Sequence, residues 1–195
     1  EIRNCDWSSD VCSSDLELGS RTMLFGRELY IDRSDFELEP PEGFFRLVPG
    51  GSVRLKYGFI VDFEDVVLDA GGRVSEVHVR YDPETRSGQD QSGRKVKGTI
   101  HWVHAESANE VDVRIYDRLF TVPDPGNYDD PVAVINPESL IHGKAVVEPA
   151  LGTLMPDTYF QFERVGFFKQ DSESRDGQMI YNRSVTLKDA WAKKK

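Results

Sequence analysis

From residue 27 onward the chain alternates apolar with polar positions, its apolar positions are rich in β-branched and aromatic residues, and clusters of turn formers interrupt the pattern. That is the signature of half-buried strands. "RELYID" (27–32) predicts a short strand, and "FFRLV" (44–48) and "SVRLKYGFIVDF" (52–63) predict a hairpin around Pro49-Gly50-Gly51. "VVLDAGGRVSEVHVRY" (66–81) repeats the device around Gly71-Gly72, because glycine supplies the positive φ that tight turns require. "KVKGTIHWVHA", "EVDVRIYDRLFTV", "GKAVVEP", "TYFQFERVGFF" and "MIYNRSVTL" continue the series. Roughly ten strands with short turns predict an all-β chain built as a sandwich or as barrels. Helix signals are scarce: Asn136 is placed to cap a short turn in "NPESLI", with Pro137 and Glu138 behind it.

Two loops mark the organisation, "EPPEG" at 39–43 and "VPDPGNYDDP" at 122–131. A chain that leaves one sheet, builds a meander and returns would give two nested barrels. The first twenty residues fall outside this pattern and are expected to be a non-native or disordered leader. They hold both cysteines, Cys5 and Cys12, and "DWSSDVCSSDL" is similar to the conceptual translation of a sequencing adapter.

Composition narrows the function. Hydrophobic residues at 38% and aromatics at 11% suit a folded chain, and no apolar run approaches the ~18 residues of a membrane span. A soluble cytoplasmic protein without a membrane partner is expected. The net charge of −10 repels phosphate, so any nucleic-acid contact needs a local basic surface. "GFFRLVPGGSVRLKY" (43–57) has one, with Arg46, Arg54 and Lys56 and no acid, and "GRKVKG" (93–98) adds three cations.

No metal ligands or catalytic residues are assigned. His101 and His104 stand three apart, which on a strand sends them to opposite faces. The carboxylates of "DFED" (62–65) and Asp129-Asp130 are what solvated faces carry in a chain with 34 acids. Phosphate-binding glycine loops and nucleophile elbows are missing.

Cations interleaved with aromatics remain. Arg54 and Lys56 alternate with Val53 and Leu55 and so share a face, which reads either as a solvated strand surface or as a surface for unstacked bases. In "YFQFERVGFF" (159–168) Phe160 and Phe162 share a core face, and Gln161 lies on the other. Strict alternation would send Arg164 inward, unless the strand breaks near Gly166.

Together, "RTMLFGRELYIDRSDF", "FFRLVPGGSVRLKYGF", "GRKVKGTIHWV", "YDRLFTVPDPG", "VINPESL", "YFQFERVGFF" and "NRSVTLKDAWAK" resemble, in order from about residue 19 to the end, the C-terminal anticodon-binding region of glutaminyl-tRNA synthetase, a class I aminoacyl-tRNA synthetase. The resemblance implies two β-barrels: a distal one over 41–117, inserted into a proximal one built from 22–40 and 118–192. It implies glutamine tRNA as the partner and no DNA. A catalytic domain of the same polypeptide, using ATP and Mg, would ligate glutamine to that tRNA, while this part binds RNA without catalysis. Carried over by position, Arg54 and Lys56 meet the first anticodon base and Arg46 the third, while Gln161 and Arg164 read the middle uracil. The family often has arginine where Lys56 stands and lysine where Phe45 stands. "YDRLFTVPDPG" matches a connection to the catalytic body. Two alternatives stay open: the anticodon-binding region of an archaeal or eukaryotic type glutamyl-tRNA synthetase, and a stand-alone RNA-binding barrel.

Overall fold

A computed structural model of the chain describes residues 23–152 and 157–187. The leader and its cysteines lie outside the described residues. Eleven strands and several short 3-10 turns make up the fold, with no α-helix among the described residues. Among the described residues no helix is long and apolar enough to cross a membrane. The chain forms two compact units, Phe25–Ala105 and the residues from Glu106 onward.

In the first unit β1 (Leu29–Ile31) pairs antiparallel with β6 (Trp102–His104). A four-stranded sheet runs in the order β4 (Val74–Asp82), β3 (Ile60–Leu68), β2 (Ser52–Leu55), β5 (Thr99–Ile100), with only the β2–β5 pair parallel. Alternation works as expected in β2, where Val53 and Leu55 are buried and Ser52 and Arg54 face away. Ile60, Val61, Ile100, Trp102, Val103, Phe36 and Leu47 complete this unit's buried apolar set.

The second unit is one five-stranded sheet in the order β8 (Leu140–Val147), β7 (Asn109–Tyr116), β11 (Ile180–Val185), β10 (Gly166–Gln170), β9 (Tyr159–Phe162). Its core gathers Val111, Val113, Val147, Leu151, Phe160, Phe162, Phe168, Met179 and Tyr181. Phe162 stacks on Phe168 with centroids 3.6 Å apart, and Tyr181 meets Phe160 edge-on at 5.6 Å. The Tyr181 hydroxyl donates to the Leu151 carbonyl at 2.8 Å, which makes burial of this polar tip affordable.

Burial pushes the Tyr181 phenol up to about 12. The unfolded phenol titrates near 10, so this residue's contribution to stability is complete below that pH and is lost as pH rises towards 12. Wild-type protein is therefore expected to lose stability over that interval in urea melts. Tyr181→Phe should flatten the loss, and an unchanged slope in that variant would exclude Tyr181 as its source.

Three local expectations change. "FFRLV" is not a strand: Leu47 makes a single parallel bridge to Phe36, and Pro49-Gly50 form a tight turn closed by the Gly51 N–H on the Val48 carbonyl at 2.9 Å, with Gly50 at φ 70°. The hairpin lies instead inside "SVRLKYGFIVDF", where Gly58 N–H bonds the Leu55 carbonyl at 2.8 Å and Tyr57 adopts φ 60°. "KVKGTIHWVHA" divides at His101 into β5 and β6. The Gly71-Gly72 hairpin forms as expected, Gly72 bonding Asp69 at 2.9 Å. Asn136 caps its turn through Oδ1 to the Glu138 N–H at 3.1 Å.

The unit boundary also falls elsewhere than the sequence-based division at 40/41 and 117/118. Strand β1 has its partner in β6, so 25–40 group with the residues that follow, and β7 lies between β8 and β11 in the second sheet.

Candidate nucleic-acid interface

The first unit carries three of the five candidate residues. Arg46 follows Phe45 on the segment leading to Leu47. Its Nη1 donates to the Ser34 carbonyl at 2.6 Å, its Nε lies 3.4 Å from the buried carboxylate of Asp35, and its guanidinium sits 5.8 Å from the Phe44 ring centre. Arg54, on β2, donates to the Thr85 carbonyl at 2.6 Å and to Asp90 at 2.5 Å. The Asp90 carboxyl is held below the usual carboxylate range, first by the Ser92 hydroxyl and then by Arg54. The Arg54 guanidinium thus holds the 85–90 segment, which fixes its direction before any ligand arrives.

Lys56 continues the ladder one step beyond β2. Its N–H bonds Ile100 at 2.9 Å, just as Arg54 N–H bonds Gly98 at 3.0 Å, so the two residues keep the shared face that alternation predicts. Its carbonyl accepts from the Trp102 indole at 2.9 Å, and its ammonium stands 5.6 Å from the Tyr57 ring centre. Backbone here is pinned from both sides, which leaves the side chain as the variable part.

The "GRKVKG" cations separate in function. Arg94 donates to Asp62 at 2.5 Å and to Asp82 at 2.8 Å, tying the loop to β3 and β4. Hydrogen bonds from Arg94, and after them one from Ser52, hold Asp62 below its ordinary range, while the Asp62 and Asp82 carboxylates raise Arg94. Lys95 and Lys97 stay exposed, with the Lys97 ammonium 5.2 Å from the Phe45 ring centre. Phe45, Arg46, Arg94, Lys95 and Lys97 line one open cleft of about 400 Å³; Arg54 and Lys56 do not. In the sequence "GRKVKG" is visibly basic, but nothing in it singles out a site residue. No spacing signal identifies Arg94 as the one neutralised, because Asp62 and Asp82 reach it from distant strands.

Gln161 and Arg164 belong to the second unit. Gln161 is half-buried in β9, opposite Phe160 and Phe162 and paired in register with Phe167. The strand then ends. Val165 N–H bonds the Phe162 carbonyl at 2.9 Å, Arg164 takes φ 63°, and β10 begins at Gly166. The break expected within "FERVG" is present, so Arg164 is exposed on a turn rather than directed inward with the phenylalanines. Among the described residues no three His, Cys, Asp or Glu side chains gather to hold a metal.

Two family profiles match the chain, both described as the anti-codon binding domain of the class I tRNA synthetases (E and Q), one over residues 6–82 and the other over 99–171. The chain belongs to this family. The first match begins inside the leader. A glutamine–tRNA ligase of Rhodopirellula baltica is 53% identical over 182 residues, which is 92% of this chain and 30% of that protein. The enzymes of the same name from Serratia proteamaculans and Yersinia pestis are 44% and 45% identical, each over 91% of this chain and 32% of their own length. The chain thus spans about a third of the curated relatives it matches and corresponds to their C-terminal part. In this class I synthetase region, the two units each carry part of the candidate base-reading set.

Proposed function

We propose that the chain grips the anticodon loop of glutamine tRNA as part of a cytoplasmic glutamine–tRNA ligase. The pair of family matches, which between them cover both units, carries this reading. In it the first unit stands for the distal barrel and the second for the proximal barrel, 25–40 and 106–117 being where the compact units and the sequence-based division differ. Arg54 and Lys56 meet the first anticodon base, Arg46 the third, and Gln161 with Arg164 the middle uracil. An amide and a guanidinium together satisfy uracil's two carbonyl oxygens and its imide N–H, a pattern cytosine does not present. The catalytic domain of the same polypeptide binds ATP with Mg and joins glutamine to the tRNA.

Fluorescence anisotropy with synthetic anticodon stem-loops tests the reading. The chain should bind the glutamine stem-loop with an affinity that falls as salt rises, by about 0.7 in log K per log salt for each phosphate neutralised. Equal binding of stem-loops with unrelated anticodons would overturn it. Because the family description spans E and Q, glutamate is the competing amino acid. Charging assays with both amino acids on the whole enzyme discriminate the two.

A further inference from the structure

We infer that the cleft between the 45–51 and 94–98 segments holds one unstacked nucleotide of an RNA single strand, its base lying on Phe45 and its phosphate between Lys95 and Lys97. The inference rests on the RNA-binding reading above and adds three residues to which that reading gives no role.

Phe45 is 56% exposed. Lone exposed apolar residues are ordinary, but this ring is presented in a particular way. It borders a cleft of about 400 Å³, within the size range of small-ligand sites. Its backbone is seated closely: a Cβ on Gly98 would fall 1.8 Å from the Phe45 carbonyl oxygen, so only glycine allows the two segments to approach this far. The tight turn at Val48–Gly51 fixes the other side.

Charge in the cleft is divided in a way that suits a nucleotide. Arg94 is occupied by Asp62 and Asp82 and anchors the loop. Among the described residues neither Lys95 nor Lys97 has a carboxylate partner, although the chain has a net charge of −10. An aromatic face beside two exposed ammonium groups is the usual means of holding single-stranded nucleic acid: the base stacks on the ring while the backbone meets the cations. Lys97 beside the ring adds a cation–π contact that stiffens the platform. A purely electrostatic surface would have no use for an exposed phenyl ring at its centre.

The test uses the 195-residue chain and a synthetic glutamine anticodon stem-loop, intact or with an abasic nucleotide at each loop position in turn. Phe45→Ala should weaken binding about ten-fold, and Phe45→Tyr should restore it where Phe45→Leu does not. One abasic position should weaken the wild type to a similar degree and cost Phe45→Ala nothing more. Lys95→Met with Lys97→Met should lower the salt slope by about one to two units. Thermal midpoints near wild type confirm that each variant is folded, as the exposure of all three side chains leads one to expect. Wild-type affinity in Phe45→Ala, or abasic losses that add to it at every position, would overturn the inference and leave a surface that acts by charge alone. If Phe45→Ala is inert while Arg164→Ala still alters middle-base preference, this inference falls and the anticodon reading stands. If unrelated hairpins bind as tightly as the glutamine stem-loop while the Phe45 and abasic effects coincide, the anticodon reading falls and the nucleotide cleft stands.

Discussion

Arg164→Ala is expected to remove most of the preference for uracil over cytosine at the middle anticodon position, a loss of about ten- to a hundred-fold in the affinity ratio, as for one specific bidentate base contact. The effect should appear as weaker binding of the uracil stem-loop with little change for the cytosine one. Arg164→Lys sharpens the test, because lysine keeps the charge but lacks the planar fork. That variant should retain the wild-type salt slope and still lose discrimination. Equal uracil preference in all three proteins would remove Arg164 from the reading site. The side chain is exposed and its turn is closed by the backbone bond from Val165 to Phe162 at 2.9 Å, so these substitutions should leave the fold intact.

Phe162→Ala should have the largest effect on stability, about 3–5 kcal/mol. The ring is 1% exposed, stacks on Phe168 at 3.6 Å and leans on Tyr181 at 5.8 Å, so its removal leaves a cavity in the centre of the second unit's core. A loss of that size is a large fraction of the ~5–15 kcal/mol that stabilises an ordinary domain. Urea denaturation followed by circular dichroism measures it. Phe162→Leu should cost much less, since it retains most of the volume. A loss under about 1 kcal/mol for the alanine variant would show that the core closes around the gap.

The two variants lie two residues apart in sequence and separate recognition from stability, and how far each role was readable from sequence differs. Phe160 and Phe162 were legible as core because alternation with Gln161 is strict up to the end of β9. Arg164 was legible only as a conflict: its proposed role required the strand to break, and the break is there. The hairpin at Lys56-Tyr57-Gly58 was hidden, because a tyrosine takes the left-handed backbone that glycine usually signals, and the run read as one continuous strand. "FFRLV" erred the other way. It has the composition of a strand, yet Phe45 packs its carbonyl against Gly98 while Leu47 bridges to Phe36, and no ladder can form. Arg94, Lys95 and Lys97 look alike in sequence, and only the approach of Asp62 and Asp82 distinguishes the anchor from the exposed pair. Patterns of burial are local and could be read; partners brought together by topology could not.

With Arg164 reading the middle base as proposed, the three residues between β9 and β10 make part of that specificity detachable. Their neighbours on both strands are locked in register, Phe162 opposite Gly166 and Phe160 opposite Phe168, and of the three only Arg164 is exposed while Val165 packs on the core. Lineages or designers could therefore exchange the exposed Arg164, leaving Val165 on the core, and alter the reading of the middle position beside Gln161 without renegotiating the interior. On that proposal, a change of decoding at this base would begin with the codons for Arg164 and Gln161 rather than with a new scaffold.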